Sequence, residues 1–542
     1  MKSKSLTKRK INIVGAGLAG LSAAIHLAKE GCPCRLISLQ PSERAQSVMA
    51  EGGINAALDT MGEQDQPENH YQDTIRGGVF LADENAVRNL TYHAPETVKW
   101  LSSLGVPFNR IGRELELRNF GGQKKKRTAY ARSSTGKILM TALIDEARKY
   151  EAAGLIRRYP HHRFTRLLLS QTENNERHCV GLEIRDTHTG QTGQLYGAVI
   201  LASGGMNSLF PGMTTGTTVN TGDVTAQVFS QGTALANLEF IQYHPTTAAI
   251  PGKRCLISEA ARGEGGRLFV NRDGKPWYFM EEKYPELGNL MPRDVVSREM
   301  VLVVKDPACG DQVFLDMTHI DKSVWDRKLS DLREECIRLL ATDPKKEYLP
   351  VSPGIHYFMG GIYVDENHAS SIRGLYAAGE CACQYHGANR LGGNSMLGAL
   401  YGGKVAASAA RQYAKTLDWQ KAHWTEAAPD WKAAVHPDPA VDESIAEVLR
   451  QALGIFRTEE ELIRALEQLT AIDQEGLTLI DRNRLLLARA MVMSAMNRKE
   501  SRGAHTRQDY PDRDDQDFRK TSVVTYDGKE IQLSLCEIAR RV

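Results

Sequence analysis

The stretch from Gly374 to Ser395 carries residue types that suit contact with a polar ligand. Its apolar start, Leu375 to Ala378, predicts a buried strand that ends at Gly379 and Glu380. An acidic residue at the carboxyl end of such a strand can accept hydrogen bonds from the hydroxyl groups of a sugar-like chain. The second half is rich in glycine and holds one arginine, Arg390, among small residues. We therefore predict that this stretch is built around a ligand.

The residues that end this stretch extend the same pattern. Gly392 and Gly393 permit a close approach of the backbone to a ligand, while Asn394 and Ser395 can donate hydrogen bonds to a ring or a phosphate. The apolar run from Met396 to Tyr401 predicts a helix whose amino terminus faces the same place. The positive end of that helix dipole favours an anionic group.

The amino-terminal part of the chain carries a second glycine pattern. The apolar run from Lys10 to Val14 predicts a strand, and Gly15, Gly17 and Gly20 follow it before an apolar-periodic helix. Strand, G-x-G-x-x-G turn and helix in this order are typical of a dinucleotide site, where the glycines allow close contact with a pyrophosphate. The second strand ends at Ser38 rather than at an acidic residue, so the type of dinucleotide stays open.

The composition is that of an ordinary globular protein, with 542 residues, 42% hydrophobic, 25% charged and a net charge of +2. This balance gives no reason to expect a nucleic-acid partner. No window approaches the roughly 18 consecutive apolar residues of a membrane helix, so we expect no direct membrane insertion and a cytoplasmic location. The nine cysteines lack the C-x-x-C spacing of zinc or iron–sulfur ligands, so no metal site is predicted.

The order of predicted elements indicates an α/β protein whose doubly wound, Rossmann-like domain is interrupted by an insertion. We predict that residues 9–245 and 352–415 form this discontinuous dinucleotide-binding domain. Residues 246–351 form an inserted α+β capping domain, residues 416–505 a helical domain and residues 506–542 a C-terminal segment.

A loop or ligand rim is predicted between Asn119 and Thr135, where Gly, Lys, Arg and Ser are frequent. Within it, Lys124, Lys125, Lys126 and Arg127 form a run of positive charge. Such runs most often lie in solvent, and we predict that this one does.

Motifs along nearly the whole chain resemble, in order and spacing, the flavoprotein subunits of fumarate reductase and succinate dehydrogenase, with L-aspartate oxidase as a sister family. The matching segments are Gly15 to Gly20, Ala50 to Gly53, Asn220 to Asp223, Gln242 to Thr246, Ser258 to Gly266, Pro292 to Arg298, His356 to Gly361, Gly374 to Ser395 and Ser501 to His505. The resemblance implies FAD as the cofactor. It also implies a cap over the substrate and interconversion of fumarate and succinate.

The resemblance implies a set of FAD-contacting residues spread over several glycine-rich segments. These are Gly15, Ala16, Gly17, Ala19, Gly20, Ser38, Ser47, Ala50, Glu51, Gly52, Gly53, Ser203, Gly204, Asp223, Glu380, Arg390, Asn394, Ser395, Met396 and Leu397.

One departure from the family concerns the attachment of FAD. Members in membrane complexes link FAD covalently through a histidine shortly before the Ala-Glu/Gln-Gly-Gly motif, and here Gln46 occupies that position. The next histidine, His70, lies too far along the chain to replace it. We therefore predict non-covalent FAD, which in this family favours fumarate reduction over succinate oxidation.

A small dicarboxylate needs cationic or donor groups at both ends. Arg390 suits a bidentate clamp on one carboxylate because its planar guanidinium matches that geometry. His244, His356 and Ser258 can donate to carboxylate oxygens. Such groups also stabilise the negative charge that builds up when hydride adds to a carbon–carbon double bond.

The resemblance implies that Arg293 donates the proton and that Glu259 and Arg262 relay protons to it. Glu259 and Arg262 are three residues apart, so on a helix they share one face. Arg298 and Asp294, four residues apart, are interpreted as a structural ion pair.

Three further functions stay open beside the fumarate reductase or succinate dehydrogenase hypothesis. L-aspartate oxidase fits the missing linking histidine, although the loop around Arg127 lacks a carboxylate for the substrate amine. A reductase of another α,β-unsaturated acid and a flavin-binding scaffold without turnover are the others. The family resemblance implies an iron–sulfur subunit and a membrane anchor as partners, which would hold the chain at the cytoplasmic face of the inner membrane.

Overall fold

The computed structural model describes residues 10–132, 134–171, 176–416, 436–472 and 476–538. A five-stranded parallel sheet forms the central layer of the predicted Rossmann-like domain. Its strands, in spatial order, are Leu375–Ala377, Val199–Leu201, Ile11–Val14, Cys34–Ile37 and Ile156–Tyr159. Every neighbouring pair is parallel, and the four strands other than Ile156–Tyr159 are almost fully buried, as expected of a sheet covered on both faces. This sheet confirms the predicted doubly wound α/β class.

Two helices pack against each other on this sheet through small residues. Leu18–Lys29 follows the first strand, and Asn394–Thr416 follows the glycine-rich stretch. A Cβ atom at Gly403 would lie 2.3 Å from the carbonyl oxygen of Ala19, so only glycine fits there. The close contact joins the two glycine-rich segments that the sequence had singled out.

A six-stranded sheet forms the second layer and carries the inserted elements. Its order is Lys253–Leu256, Ile241–Ile250, Leu349–Phe358, Cys309–Asp316, Arg267–Arg272 and Lys275–Trp277. The helices of this region are Glu259–Gly263, Phe279–Lys283, Arg293–Val303, Lys322–Lys328 and Ser330–Leu340. The predicted boundaries at 245/246 and 351/352 fall within two paired strands of this sheet, and the boundaries themselves stay predictions.

The C-terminal part is helical and then ends in a hairpin. Its helices are Pro439–Ala452, Glu459–Ala471 and Leu479–Asn497, and its hairpin strands are Lys520–Tyr526 and Ile531–Glu537. Capping boxes at Thr458 and Thr478 begin the second and third helices. The predicted start of the helical domain at residue 416 borders residues 417–435, which lie outside the described part of the chain.

The remaining elements connect these layers. The other helices are Pro67–Gly77, Glu84–Tyr92, Ala94–Ser103, Thr135–Ala152 and Asp223–Ser230. The other strands are Ile54–Asn55, Arg110–Ile111, Glu114–Leu115, Leu117–Arg118, Thr128–Ala129, His162–Gln171, Arg177–Asp186, Thr192–Tyr196, Leu235–Ala236, Gly361–Tyr363, Ala382–Cys383, Phe456–Arg457 and Thr506–Arg507. Within the described ranges, no helix is long and apolar enough to span a membrane.

The predicted solvated charge run is wrong at Arg127. Its side chain is fully buried, and it pairs with Asp65 and Asp73, each at 2.9 Å. Lys124 and Lys126 are exposed, as predicted. The adjacent Thr128–Ala129 strand carries Arg127 inward, and two distant carboxylates compensate its charge.

Replacing Arg127 with methionine leaves Asp65 buried without its guanidinium partner and leaves Asp73 with its ion pair to Arg76. We expect Arg127→Met to lower the free energy of unfolding by about 3–5 kcal/mol. The matched control Arg148→Met removes only exposed ion pairs and is expected to cost less than about 1 kcal/mol. Equilibrium urea unfolding at one FAD concentration measures both, and equal effects would contradict the role of this buried pair.

Candidate functional site

A cavity of about 940 Å³ opens at the carboxyl ends of the parallel strands. Val14, Ser38, Ala202 and Ala378 line it, and each lies at the end of a strand or directly after one. Ligands of open α/β sheets bind at this edge because the chain reverses there and leaves a crevice. The volume suits a large cofactor together with a small substrate.

Glycines shape the wall of the cavity by bringing backbones together. Gly15 has a φ of +112°, and a Cβ atom there would lie 2.0 Å from the carbonyl oxygen of Ala202. At Gly136 a Cβ atom would lie 2.2 Å from the carbonyl oxygen of Ser47. Leu18 N–H, at the start of the first helix, donates to Ser47 Oγ at 3.2 Å. Side chains are excluded from this wall, so a flat or phosphorylated ligand can lie directly on the backbone.

Glu380 lies on the cavity wall where the sequence predicted an acceptor for hydroxyl groups. Its carboxylate accepts a hydrogen bond from Phe358 N–H at 3.2 Å. Burial raises the pKa of Glu380 to about 7, against which this hydrogen bond and the Arg390 charge act. Near neutral pH this group can therefore accept a hydrogen bond from a hydroxyl group or donate one to it.

The cavity lining also includes the polar residues Asp223 and Ser38. Asp223 pairs with Arg163 at 2.6 Å and with Arg484 at 2.8 Å. The hydroxyl group of Ser38 donates to the carbonyl oxygen of Gln40 at 2.7 Å and so keeps only its acceptor capacity for a ligand.

Most of the predicted cofactor residues line this one cavity. They are Gly15, Ala16, Gly17, Ala19, Ser38, Ser47, Ala50, Glu51, Gly52, Gly53, Ser203, Gly204, Asp223, Glu380, Arg390, Ser395 and Met396. Gly20, Asn394 and Leu397 do not belong to the wall. A Cβ atom at Gly20 would lie 1.9 Å from the carbonyl oxygen of Gly15, so this glycine serves helix–strand packing.

Asn394 supports the cavity from behind. Its side-chain oxygen bonds His70 Nε2 at 2.9 Å and Asn55 Nδ2 at 2.8 Å, and its side-chain nitrogen donates to Thr74 at 3.0 Å. These contacts fix the start of the 394–416 helix. The side chain therefore holds the protein together rather than facing a ligand.

The residues predicted to bind substrate gather where the six-stranded sheet meets the cavity. His244 and His356 come from the paired strands Ile241–Ile250 and Leu349–Phe358, and their ring centroids lie 5.1 Å apart. Ser258 lines the same region and caps the short helix that follows it. Arg390 lines it from the glycine-rich loop.

Arg390 presents an incompletely paired guanidinium group to this pocket. It stacks on the ring of Tyr357 with 4.3 Å between guanidinium carbon and ring centroid. Within the described residues its buried Nε has no hydrogen-bond partner. Burial, together with the charge of Arg293, lowers the pKa of Arg390 to about 9. A buried cation with an unused donor is suited to an anionic ligand.

The two histidines are neutral in this environment. Burial lowers the pKa of His244 well below 6.5, and the Arg293 charge adds to this effect. Burial and the charges of Arg293 and Arg390 do the same for His356. His244 Nδ1 lies 3.1 Å from the carbonyl oxygen of Thr246, which can only accept, so Nδ1 carries the proton.

Arg293, Glu259 and Arg262 form a continuous buried chain of charges. Arg293 donates to Glu259 Oε2 from Nε at 3.0 Å and from Nη2 at 2.5 Å. Arg262 lies 3.4 Å from the other carboxylate oxygen, on the far side from the cavity. Burial acts to raise the pKa of Glu259, but the two guanidinium groups outweigh it and hold that pKa below its usual value. Arg293 and Glu259 line the cavity, whereas Arg262 lies behind them.

Sequence reasoning missed several residues that organise this pocket. Gln242 accepts from Arg293 Nη1 at 3.0 Å and donates to the carbonyl oxygen of Arg390 at 2.8 Å. Thr215 bonds His356 Nδ1 at 2.8 Å, and Phe120 adds an apolar wall. Gln242 adjoins the His244 motif, which was a usable signal. The partners of Thr215 and Phe120 are distant in sequence, and no local pattern indicated them.

Comparisons with known proteins agree with this geometry. A family model for an FAD binding domain matches residues 11–396, and one for the fumarate reductase flavoprotein C-terminus matches residues 477–540. The succinate dehydrogenase flavoprotein subunit of Bacillus subtilis is 38% identical over 96% of this chain and 94% of its own length. L-aspartate oxidase of Streptomyces coelicolor is 33% identical over 94% of this chain and 90% of its own.

Solved structures give the same relationship. A variant of E. coli quinol fumarate reductase superposes with a TM-score of 0.84 at 29% identity, over 98% of this chain and 97% of that one. The Sdh1 complex of Mycobacterium smegmatis gives a TM-score of 0.81 at 30% identity, over 98% of this chain and 94% of that one. The chain belongs to the FAD-dependent flavoprotein subunit family of succinate dehydrogenase and fumarate reductase, to which L-aspartate oxidase is related.

Proposed function

We propose that this chain interconverts fumarate and succinate, with reduction of fumarate as its favoured direction. The observation that carries the proposal is the meeting of two buried arginines, Arg293 and Arg390, with His244 and His356 at one end of the FAD-sized cavity. These groups supply donors for two carboxylates and a proton source beside them. The family names of the relatives agree with this chemistry.

The protein would hold FAD along the glycine wall and the dicarboxylate beyond it. Bound FAD supplies the hydride for the carbon–carbon double bond. Arg390 pairs with one carboxylate through its unused donor, and the two imidazoles and Ser258 bind the remaining oxygens. The positive potential of this end of the cavity stabilises the charge that develops on the substrate during hydride addition.

Arg293 is the proposed proton donor to the other carbon of the double bond. Its side chain is held by Glu259 and Gln242, so one guanidinium edge is fixed relative to the cavity. After Arg293 has given its proton to the substrate carbon, Glu259 passes a proton to the neutral guanidine and restores its positive charge. Arg262, on the outer side of Glu259, continues the path away from the substrate. Arginine is an unusual acid, and this paired arrangement lets proton loss be followed at once by replacement.

We further propose that electrons reach the flavin from an iron–sulfur partner subunit. The chain itself has no C-x-x-C pattern. Two solved relatives are quinol fumarate reductases, and quinols reside in membranes. A membrane anchor bound to that partner would place this chain at the cytoplasmic face of the inner membrane.

L-aspartate oxidation is the second candidate. In its favour, Glu51 lines the cavity, and its buried Oε2 has no partner among the described residues, so it could meet a substrate amine. Against it, burial and the nearby charge of Glu335 raise the pKa of Glu51 well above its usual value. A protonated carboxyl group pairs poorly with an ammonium group. Fumarate reduction therefore remains the stronger proposal.

The deciding experiment reduces the purified protein without oxygen and follows the flavin absorbance after fumarate is added. Rapid reoxidation supports fumarate reduction. The oxidised protein is then mixed with L-aspartate, and bleaching of the flavin would instead support the oxidase. If neither acid changes the absorbance while FAD is bound, the substrate is another unsaturated acid or the chain is a scaffold.

Removing the proton donor should separate chemistry from binding. We expect Arg293→Gln to retain FAD and to slow flavin reoxidation by fumarate about 10²–10⁴-fold, the range for loss of a general acid. Arg327→Gln, which changes an exposed arginine of the same region, serves as the control. Stopped-flow absorbance measures both rates. A variant that reoxidises at the wild-type rate would exclude Arg293 as the donor.

The affinity for dicarboxylate should fall at high pH. The charged form of Arg390 binds the substrate, and burial together with the Arg293 charge lowers the pKa of Arg390 to about 9. Below this pH the group is already charged. Above it, binding must take up a proton, so Kd should rise by up to about tenfold per pH unit. Succinate titration of the oxidised flavin between pH 7 and 10 measures this, and a constant Kd across that range would contradict the assignment.

FAD should be bound without a covalent bond. Gln46 accepts a hydrogen bond from Thr217 N–H at 2.6 Å, so its amide is committed to the protein at the position where relatives carry the linking histidine. We expect acid precipitation to release all FAD into the supernatant and the intact chain to keep its mass of 60.1 kDa. A chain mass increased by one FAD, measured by mass spectrometry, would overturn this expectation.

A further inference from the structure

The two proposed substrate arginines come from different parts of the chain and need a common support. Arg293 begins the helix Arg293–Val303, and Arg390 lies in the loop before the helix Asn394–Thr416. Gln242 joins them behind the cavity wall, since it accepts from Arg293 and donates to the backbone of Arg390. This link holds one side chain and one carbonyl group. It leaves the spacing of the helix and the loop to other contacts.

A single peptide group, between Gly503 and Ala504, provides such a contact. The carbonyl oxygen of Gly503 accepts from Arg298 Nη1 at 3.1 Å, and Arg298 lies on the Arg293 helix. The N–H of Ala504 donates to the carbonyl oxygen of Ala388 at 2.9 Å, two residues before Arg390. Both groups belong to the same planar peptide unit, whose C=O and N–H point in opposite directions. It therefore bridges the helix and the loop directly.

We propose that the turn Ser501–His505 sets the spacing of Arg293 and Arg390, and that Arg298 is the positioning residue that ties the Arg293 helix to this turn. The proposal rests on the proposed function, which gives Arg293 and Arg390 their roles as proton donor and substrate clamp. The contacts themselves are independent of it. Arg298 touches neither the FAD cavity nor the proposed substrate pocket.

Several hydrogen bonds restrain the turn Ser501–His505, so it can hold the helix and the loop at a fixed distance. Arg502 and His505 exchange backbone hydrogen bonds of 2.8 and 3.0 Å across it. The fully buried side chain of Arg502 pairs with Glu500 at 2.7 Å and donates to the carbonyl oxygen of Val79 at 3.0 Å. His505 bonds Arg457 at 2.8 Å. A buried network with several partners restrains the turn more than any single contact would.

Gly503 leaves no room for a side chain at the bridge. Its φ is +54°, and a Cβ atom there would lie 2.5 Å from the carbonyl oxygen of Ala388. Any larger residue must push against the loop that carries Arg390. On the helix side, Asp294 Oδ2 lies 3.4 Å from Arg298 Nη1 and orients the guanidinium group toward the turn. The predicted Asp294–Arg298 ion pair is thus present and also serves this bridge.

The first test removes the helix contact. We expect Arg298→Ala to retain FAD and to lower kcat for fumarate reduction about 10–100-fold, since a misplacement of about 1 Å at a reacting centre has costs of this order. The Kd for succinate should change less than about threefold, because Arg390 and the histidines keep their own contacts. Arg298→Lys, which can still donate to Gly503, should restore most of kcat. Arg333→Ala, which removes a partly exposed pair with Asp343, is the matched control.

The second test places a side chain against the loop that carries Arg390. Gly503→Ala should raise the Kd for succinate about tenfold as well as lower kcat, because its new Cβ displaces the backbone before Arg390. Flavin content and thermal unfolding are measured for each variant. A loss of kcat that follows the loss of FAD or of folded protein, without rescue by Arg298→Lys, would overturn the proposal.

Hydrogen–deuterium exchange supplies a measurement that needs no substrate. In Arg298→Ala we expect faster exchange in peptides covering residues 293–303 and 386–391, and unchanged exchange in Arg333→Ala. Unchanged exchange in both segments would refute the bridge whatever the activity. If the wild-type flavin is not reoxidised by fumarate, the proposed function fails, and the exchange data still decide the bridge separately.

Discussion

The positive end of the cavity depends on the charge of Glu259. Two buried guanidinium groups, Arg293 and Arg262, lie against its two oxygens, and Gly121 N–H adds a hydrogen bond at 3.0 Å. Burying such cations without a counter-charge would cost several kcal/mol each. Because the partners come from the short helix 259–263, the helix 293–303 and the loop at 121, this one carboxylate also fixes how those three segments meet.

The substrate pocket carries an excess of positive charge that an anionic ligand compensates. Arg390 has an unused buried donor, and the histidines are neutral because burial, together with the neighbouring guanidinium charges, lowers their pKa. A dianionic ligand pairs with the unused donor of Arg390 and offsets the positive charge beside the histidines. A neutral or cationic ligand would leave that donor unpaired and that charge uncompensated. The same excess of positive charge suits the transition state of hydride addition. Binding and catalysis therefore draw on the same few side chains.

Local sequence patterns correctly predicted those features whose structure depends only on neighbouring residues. A strand followed by closely spaced glycines needs only its own backbone, so the turn at Gly15 and the strand end at Glu380 could be predicted. Arg127 was mispredicted because its carboxylate partners, Asp65 and Asp73, lie more than fifty residues away. Asn394 was expected to face the cofactor, but His70, Asn55 and Thr74 occupy its side chain. No periodicity reveals such partners.

The sequence by itself determined the fold class, the FAD-binding family and the glycine-rich segments of the cavity wall, because glycine turns, buried strands and motif order are properties of short segments. Only the tertiary structure decided which of these residues meet. It joined Arg293 to Arg390 through Gln242, and it joined the segments that carry them through the peptide group between Gly503 and Ala504. Contacts between segments about fifty to two hundred residues apart depend on packing and charge compensation across the whole core, and no short stretch of sequence encodes them.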